Sequence, residues 1–190
     1  MRTRPIAVSA LTALVAALTL TACGDGGSGD KGGKGSKGDK KADSSASSAG
    51  STACKADQVG QEVAASEAPA AGDTGSVSVT LTNRSGGDCT LEGFPRVDLT
   101  AGGTTWSLTP EDSAKPEKLT LKPDETTAFT ITYVRGPAGD ATKGAAVQTA
   151  KFGLPGAGAD LSFPWKYGEV ALRSESEPDA SVGPFSRAGD

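Results

Sequence analysis

Three cysteines, no histidine and one methionine, Met1, set the chemistry open to this chain of 190 residues. Histidine is the commonest general base near neutral pH and the commonest metal ligand. Hydrolysis by a histidine-activated serine or cysteine, and zinc or copper sites built on imidazole, therefore lack their central group. Ser28-Gly29-Asp30-Lys31 matches the S-x-x-K spacing of penicillin-binding enzymes, but it sits in a stretch too poor in apolar residues to fold around it. Gly136 to Gly144 is glycine-rich, yet it misses the G-x-x-x-x-G-K-[ST] spacing that cradles phosphate. Glu111-Asp112 and Asp124-Glu125 are acidic pairs beside prolines and read as solvated turns rather than calcium loops. No catalytic residue, metal ligand or cofactor motif is assigned. One constellation points to recognition: Phe163, Trp165 and Tyr167 alternate within Phe-Pro-Trp-Lys-Tyr, and a strand places all three on one side. Two readings of that triplet stay open. The rings fill the core, or they form a flat platform for a sugar or a partner peptide on an edge strand, edge because Pro164 cannot donate to a ladder.

Cys23 has a different chemistry. Arg2 and Arg4 give the start of the chain positive charge, and Ile6 to Leu20 follows without any charge. Fifteen residues make about 22 Å of helix against roughly 30 Å of bilayer core, which is short for a span and right for a secretory signal. Leu20-Thr21-Ala22-Cys23 resembles the lipobox of bacterial lipoproteins, in which the cysteine sulfur takes diacylglycerol and the cysteine becomes the new N-terminus. That resemblance implies a signal peptide over 1–22, lipid on Cys23, and a location on the outer face of the cell membrane. An uncleaved anchor, or ordinary cleavage leaving a thiol, are the alternatives.

Residues 24 to 53 contain nine Gly, seven Ser, five Lys, four Asp, four Ala and one Thr. With nothing larger than alanine to bury, such a segment cannot offset the entropy of ordering itself, and 23–53 reads as a disordered tether. A coil of this length spans about 30 Å. Its lysines are interleaved with aspartates, so it reads as a solvated spacer rather than a lipid-binding patch.

Residues 54–190 are one domain, with nineteen Asp and Glu against twelve Lys and Arg, a balance that argues against nucleic acid as a partner. The period is two. Val77, Val79 and Leu81 alternate with Ser and Thr; Cys89 and Leu91, Val97 and Leu99, Trp106 and Leu108, Leu119 and Leu121, and Phe129, Ile131 and Tyr133 repeat the pattern between turn-forming segments. Further candidates are 147–152, 161–167 and 169–173. Seven to nine short strands without an amphipathic helix predict an antiparallel β-sandwich. Export would place Cys54 and Cys89 in an oxidising compartment, where a bridge between them is favoured over two free thiols.

The order Cys54, Val79-Thr-Leu-Thr-Asn83, Cys89-Thr-Leu-Glu-Gly-Phe-Pro95 and Leu121-Lys-Pro-Asp124 resembles a family of domains of unknown function in secreted lipoproteins of high-GC Gram-positive bacteria. The resemblance covers roughly 54 to 185. It implies an immunoglobulin-like sandwich with a disulfide, exported to the cell surface, and supplies no established activity to carry over. Some members carry further cysteines in the C-terminal half; this chain has none there, which excludes a second bridge.

The function expected from these residues is that of a noncatalytic binding or interaction module, held to the membrane through Cys23 and facing cell-wall polymer or an envelope protein. An envelope enzyme with an unrecognised site is the alternative.

Overall fold

The structure, a computed structural model, describes residues 52–187. Cys23, the signal segment 1–22 and all but the last two residues of the 23–53 tether lie outside them. Sixteen strand segments follow one another without an α-helix among the described residues; the one helical turn is the 3-10 turn Ala56–Gln58. They are β1 (Thr52–Ala53), β2 (Val59–Ser66), β3 (Thr74–Asn83), β4 (Cys89–Glu92), β5 (Arg96–Ala101), β6 (Thr104–Ser107), β7 (Thr109–Pro110) and β8 (Lys118–Leu121). The second half supplies β9 (Thr126–Val134), β10 (Gly144–Ala145), β11 (Thr149–Gly153), β12 (Asp160–Pro164), β13 (Val170–Ser174), β14 (Glu177–Pro178), β15 (Ala180–Val182) and β16 (Ser186–Arg187).

Two sheets dominate. One runs β2-β3-β9-β15-β7, with β16 also paired to β9; the other runs β12-β11-β5-β6. Two three-stranded sheets, β1-β4-β8 and β10-β13-β14, complete the fold. Pairing is antiparallel except for β1 on β4 and β7 on β15. The expected all-β antiparallel sandwich is the architecture observed, with more segments than the seven to nine anticipated because five of them are only two residues long.

The alternation that predicted β3 and β9 is also what joins them. Nine registered pairs run from Thr74↔Val134 to Thr82↔Thr126. Val77, Val79, Leu81, Phe129, Ile131 and Tyr133 are buried on one face, while Ser and Thr, with Ala128 and Val134, occupy the other. β-branched and aromatic side chains suit this half-buried surface, and the Ser–Thr cross-strand pairs suit its wetter side. The opposing sheet contributes Val97, Leu99, Ala150, Phe152 and Phe163 to the same core. Phe129 meets Phe152 edge to face at 5.1 Å and Phe185 at 5.8 Å, so aromatic rings tie the two layers together.

Three sequence features acquire a physical reason here. Asn83 is fully buried: its amide donates to the carbonyls of Leu121 and Gly87, and its Oδ1 accepts from the Ser85 N–H and hydroxyl. One side chain thus fastens the loop after β3 to the end of β8. In the Lys122–Glu125 turn, Glu125 N–H donates to Lys122 C=O and Asp124 has φ 64°, a left-handed position that aspartate tolerates better than most residues. Gly93, with φ 98° and open space around it, is required by its backbone rather than by crowding.

Cys54 and Cys89 form a disulfide with Cα atoms 4.8 Å apart, both buried. The bridge sits where Thr52↔Cys89 and Ala53↔Thr90 pair and Cys54 N–H donates to Thr90 C=O. Thr52 and Ala53, expected as the end of the tether, therefore belong to the sheet: the bond holds Cys54 beside β4, and the two residues before it fall into register. Replacing both cysteines by alanine should lower stability by about 3–4 kcal/mol, from the loop that the 35-residue separation closes in the unfolded chain. Urea unfolding checks this, with the non-reduced peptide map as its companion.

Candidate functional site

Phe163 lies on β12, but that strand ends at Pro164, so Trp165 and Tyr167, expected on the same strand, follow it in irregular backbone; the side the rings face is the inner one. Phe163 and Trp165 are 5% and 6% exposed and Tyr167 is half-buried. Phe163 packs against Phe152, extending the central cluster. Trp165 stands edge to face between Tyr133, at 5.1 Å, and Tyr167, at 5.0 Å. An exposed stacking platform of three rings is therefore not what these residues build. β12 is an edge strand, as Pro164 implied, but alternation fixes only that the rings share a side, and burial of large apolar area decides which side.

The polar atoms of this corner are engaged as well. Trp165 Nε1–H donates to Gly168 C=O (2.8 Å), and Tyr133 O–H donates to Tyr167 C=O (2.9 Å). Gly75, opposite Tyr133 in the register, has no room for a Cβ, which would lie 2.7 Å from the ring. Gly168 combines φ 81° with the close approach of the Arg135 guanidinium, which donates to Ala68 C=O. Burial pushes the Tyr167 phenol above its ordinary pKa, with further contributions from the Glu67 carboxylate and Tyr133.

Around this corner the surface opens into two shallow grooves. One, of about 370 Å³, has Ala146, Gln148, Trp165, Lys166 and Glu169 among its walls. The other, of about 420 Å³, is bordered by Ala101, Thr104, Trp106, Ala141, Ala146 and Gln148. They share Ala146 and Gln148, so they meet, and each is floored at one side by one of the chain's two tryptophans. Gln148 is held by its backbone, its N–H donating to Thr100 C=O and its C=O accepting from Trp165 N–H, while its side chain is exposed. Trp106 Nε1–H donates to Glu175 C=O, so both indoles offer apolar edges rather than donors.

Elsewhere two arginines are already paired. Arg96 Nη2 reaches both carboxylate oxygens of Asp160 at 2.8 Å, and Arg173 reaches Asp179 at 2.7 Å, a hydrogen bond that raises the guanidinium's already high pKa. Neither presents a free fork to an anion. In the loop before β10, Thr142 donates to Asp140 Oδ1 through its N–H and hydroxyl, lowering the Asp140 pKa, and the Asp140 carbonyl accepts from Lys143 and Gly144. That carboxylate caps a turn. Glu111 and Asp112 border a separate open groove, where Thr132 donates weakly to Glu111. Among the described residues, no group of three or more acidic or cysteine side chains is gathered closely enough to hold a metal ion.

That the groove bordered by Trp106 and the groove bordered by Trp165 adjoin at Gln148 is not visible in the sequence, where the two residues are far apart. The one signal was that both sit in strand-like alternation. A family model described as a domain of unknown function, DUF4232, matches residues 54–186. No curated protein and no solved structure matches the chain.

Proposed function

Because the chain belongs to the DUF4232 family of domains of unknown function, we propose its role from its own residues: an exported lipoprotein, anchored through Cys23, whose sandwich is a noncatalytic binding module at the cell envelope. Leu20-Thr21-Ala22-Cys23, the spacer behind it and the Cys54–Cys89 bridge are consistent with life outside the cytoplasm. The observation that carries the binding mode is the junction of the two open grooves at Ala146 and Gln148. Pockets for small molecules enclose most of their ligand, whereas a continuous shallow track with apolar indole edges and one exposed amide fits an extended polymer lying across it. A peptide or glycan strand of the envelope has that shape.

Ala146 is exposed and small, so Ala146→Arg fills the junction without disturbing the core. The variant should keep its thermal midpoint and lose at least about tenfold in affinity for isolated envelope material, the loss of one well-placed contact region. Unchanged binding by a folded Ala146→Arg protein would remove the grooves from the account. Turnover of an envelope ester, glycoside or peptide that depends on one carboxylate of this domain would replace binding by catalysis.

A further inference from the structure

The six-stranded sheet ends on β2, and this edge is unlike the others. β7 is two residues long and contains Pro110; β12 ends in Pro164, has the Ser162 carbonyl occupied by the Gln61 amide, and has Asp160 in an ion pair with Arg96; β6 is four residues long. Proline, shortness and charge are the usual means of blunting an edge. β2 is eight residues, Val-Gly-Gln-Glu-Val-Ala-Ala-Ser, in unbroken register with β3, with no proline, no lysine, no bulge and a single charge at Glu62.

The hydrogen-bond parity of this strand is fixed by its neighbours. Arg84 N–H donates to Gln58 C=O just beyond the ladder, which makes the even-numbered residues of β2 the ones bonded to β3. Asn83 N–H donating to Glu125 C=O gives β3 the complementary parity toward β9. Val59, Gln61, Val63 and Ala65 accordingly direct their N–H and C=O groups outward, without a backbone partner among the described residues. Val59 and Val63 pack against the core yet are only partly buried, so the inner face of this edge is left half open.

We propose that β2 is a self-pairing edge, through which two copies of this chain join their six-stranded sheets antiparallel about a two-fold axis at Val63. Outward-pointing residues must pair with one another, which limits the axis to a few positions. Centring on Gln61 pairs only five residues of each strand. Centring on Glu62 pairs seven but sets Glu62 directly against Glu62 of the second copy, a repulsive arrangement. Centring on Val63 also pairs seven, sets Val63 beside Val63, Gln61 opposite Ala65, and Glu62 opposite the small, exposed Ala64. The half-open valine is covered and the charge is left in solvent. A strand-to-strand contact of this length is small beside the ~1,200–2,000 Å² of stable complexes, so the association is weak in dilute solution.

Ser47–Asp190 is a compact unit, and the described core and the disulfide lie within it, so the experiment uses residues 24–190 made with the disulfide intact. Sedimentation equilibrium from about 10 µM to about 1 mM should show a monomer–dimer equilibrium. Ala64→Lys places a cation opposite Glu62 of the second copy twice per dimer and should tighten it roughly three- to thirtyfold; Ala64→Glu should weaken it by a similar factor. Ala65→Pro removes an outward N–H that no strand of the fold uses and should abolish the dimer with the near-ultraviolet spectrum retained. The Ala64 pair, on the exposed face, decides the matter if the proline variant folds poorly. Ala146→Arg should leave the equilibrium unchanged, which separates this edge from the grooves. A monomer at about 1 mM, a dimer to which Ala64→Lys and Ala64→Glu do the same thing, or capture of a foreign strand without self-pairing would overturn the proposal.

Discussion

Trp165→Ala is expected to lower the unfolding free energy by about 3–5 kcal/mol, the range for deleting a large aromatic side chain from a packed interior. The indole is 6% exposed, stands edge to face against Tyr133 and Tyr167, and its N–H closes the turn at Gly168. Truncation removes both ring contacts and leaves the Gly168 carbonyl without its partner, so transfer, cavity and hydrogen-bond losses act together. Trp165→Phe keeps most of the buried area and loses the bond, and should fall well short of that loss. Tyr167→Ala, removing a half-buried ring, should also cost less than Trp165→Ala. Denaturant unfolding of the three variants gives the order directly. Unchanged stability in Trp165→Ala would return the triplet to the platform reading that its burial contradicts.

The contrast between β3 and β2 shows what could be read in advance. Val77, Val79 and Leu81 alternate because both neighbours of β3 and the opposing sheet cover that face, and the pattern is legible for that reason. β2 carries Val59, Gln61, Val63 and Ala65 on the same face and shows no such contrast, because an edge strand with a half-open inner side has little to bury; it was missed. β15 and the two-residue ladders are too short for any period to show. The disulfide followed from the cysteine count and the expectation of export, and the Lys122–Glu125 turn from its Pro-Asp pair. The groove junction was hidden for another reason. Trp106, on β6, and Trp165, just after β12, border adjoining grooves because β5 and β11 between them place Gln148 where the two grooves meet, and nothing local in either segment encodes the other. Asn83 stood in a recognisable Leu-Thr-Asn run, but its role as the fastener between Gly87 and Leu121 depends on a turn nearly forty residues away.

The second large effect concerns Cys23. If its sulfur carries diacylglycerol, two acyl chains hold the protein on the membrane almost permanently, since each buried methylene adds about 0.8 kcal/mol. Cys23→Ala removes the acceptor sulfur and is expected to abolish lipid labelling altogether. The folded domain should be unaffected, because Cys54 and Cys89 pair with each other and leave no partner role for Cys23.

The most direct measurement is the mass of the N-terminal peptide of the mature protein, recovered from membranes and digested without reduction. The account predicts a chain that begins at Cys23 with a diacylglycerol on its sulfur, together with a separate linked pair of peptides containing Cys54 and Cys89. A mature protein found wholly in the culture fluid, beginning at another residue and carrying no lipid, would contradict it.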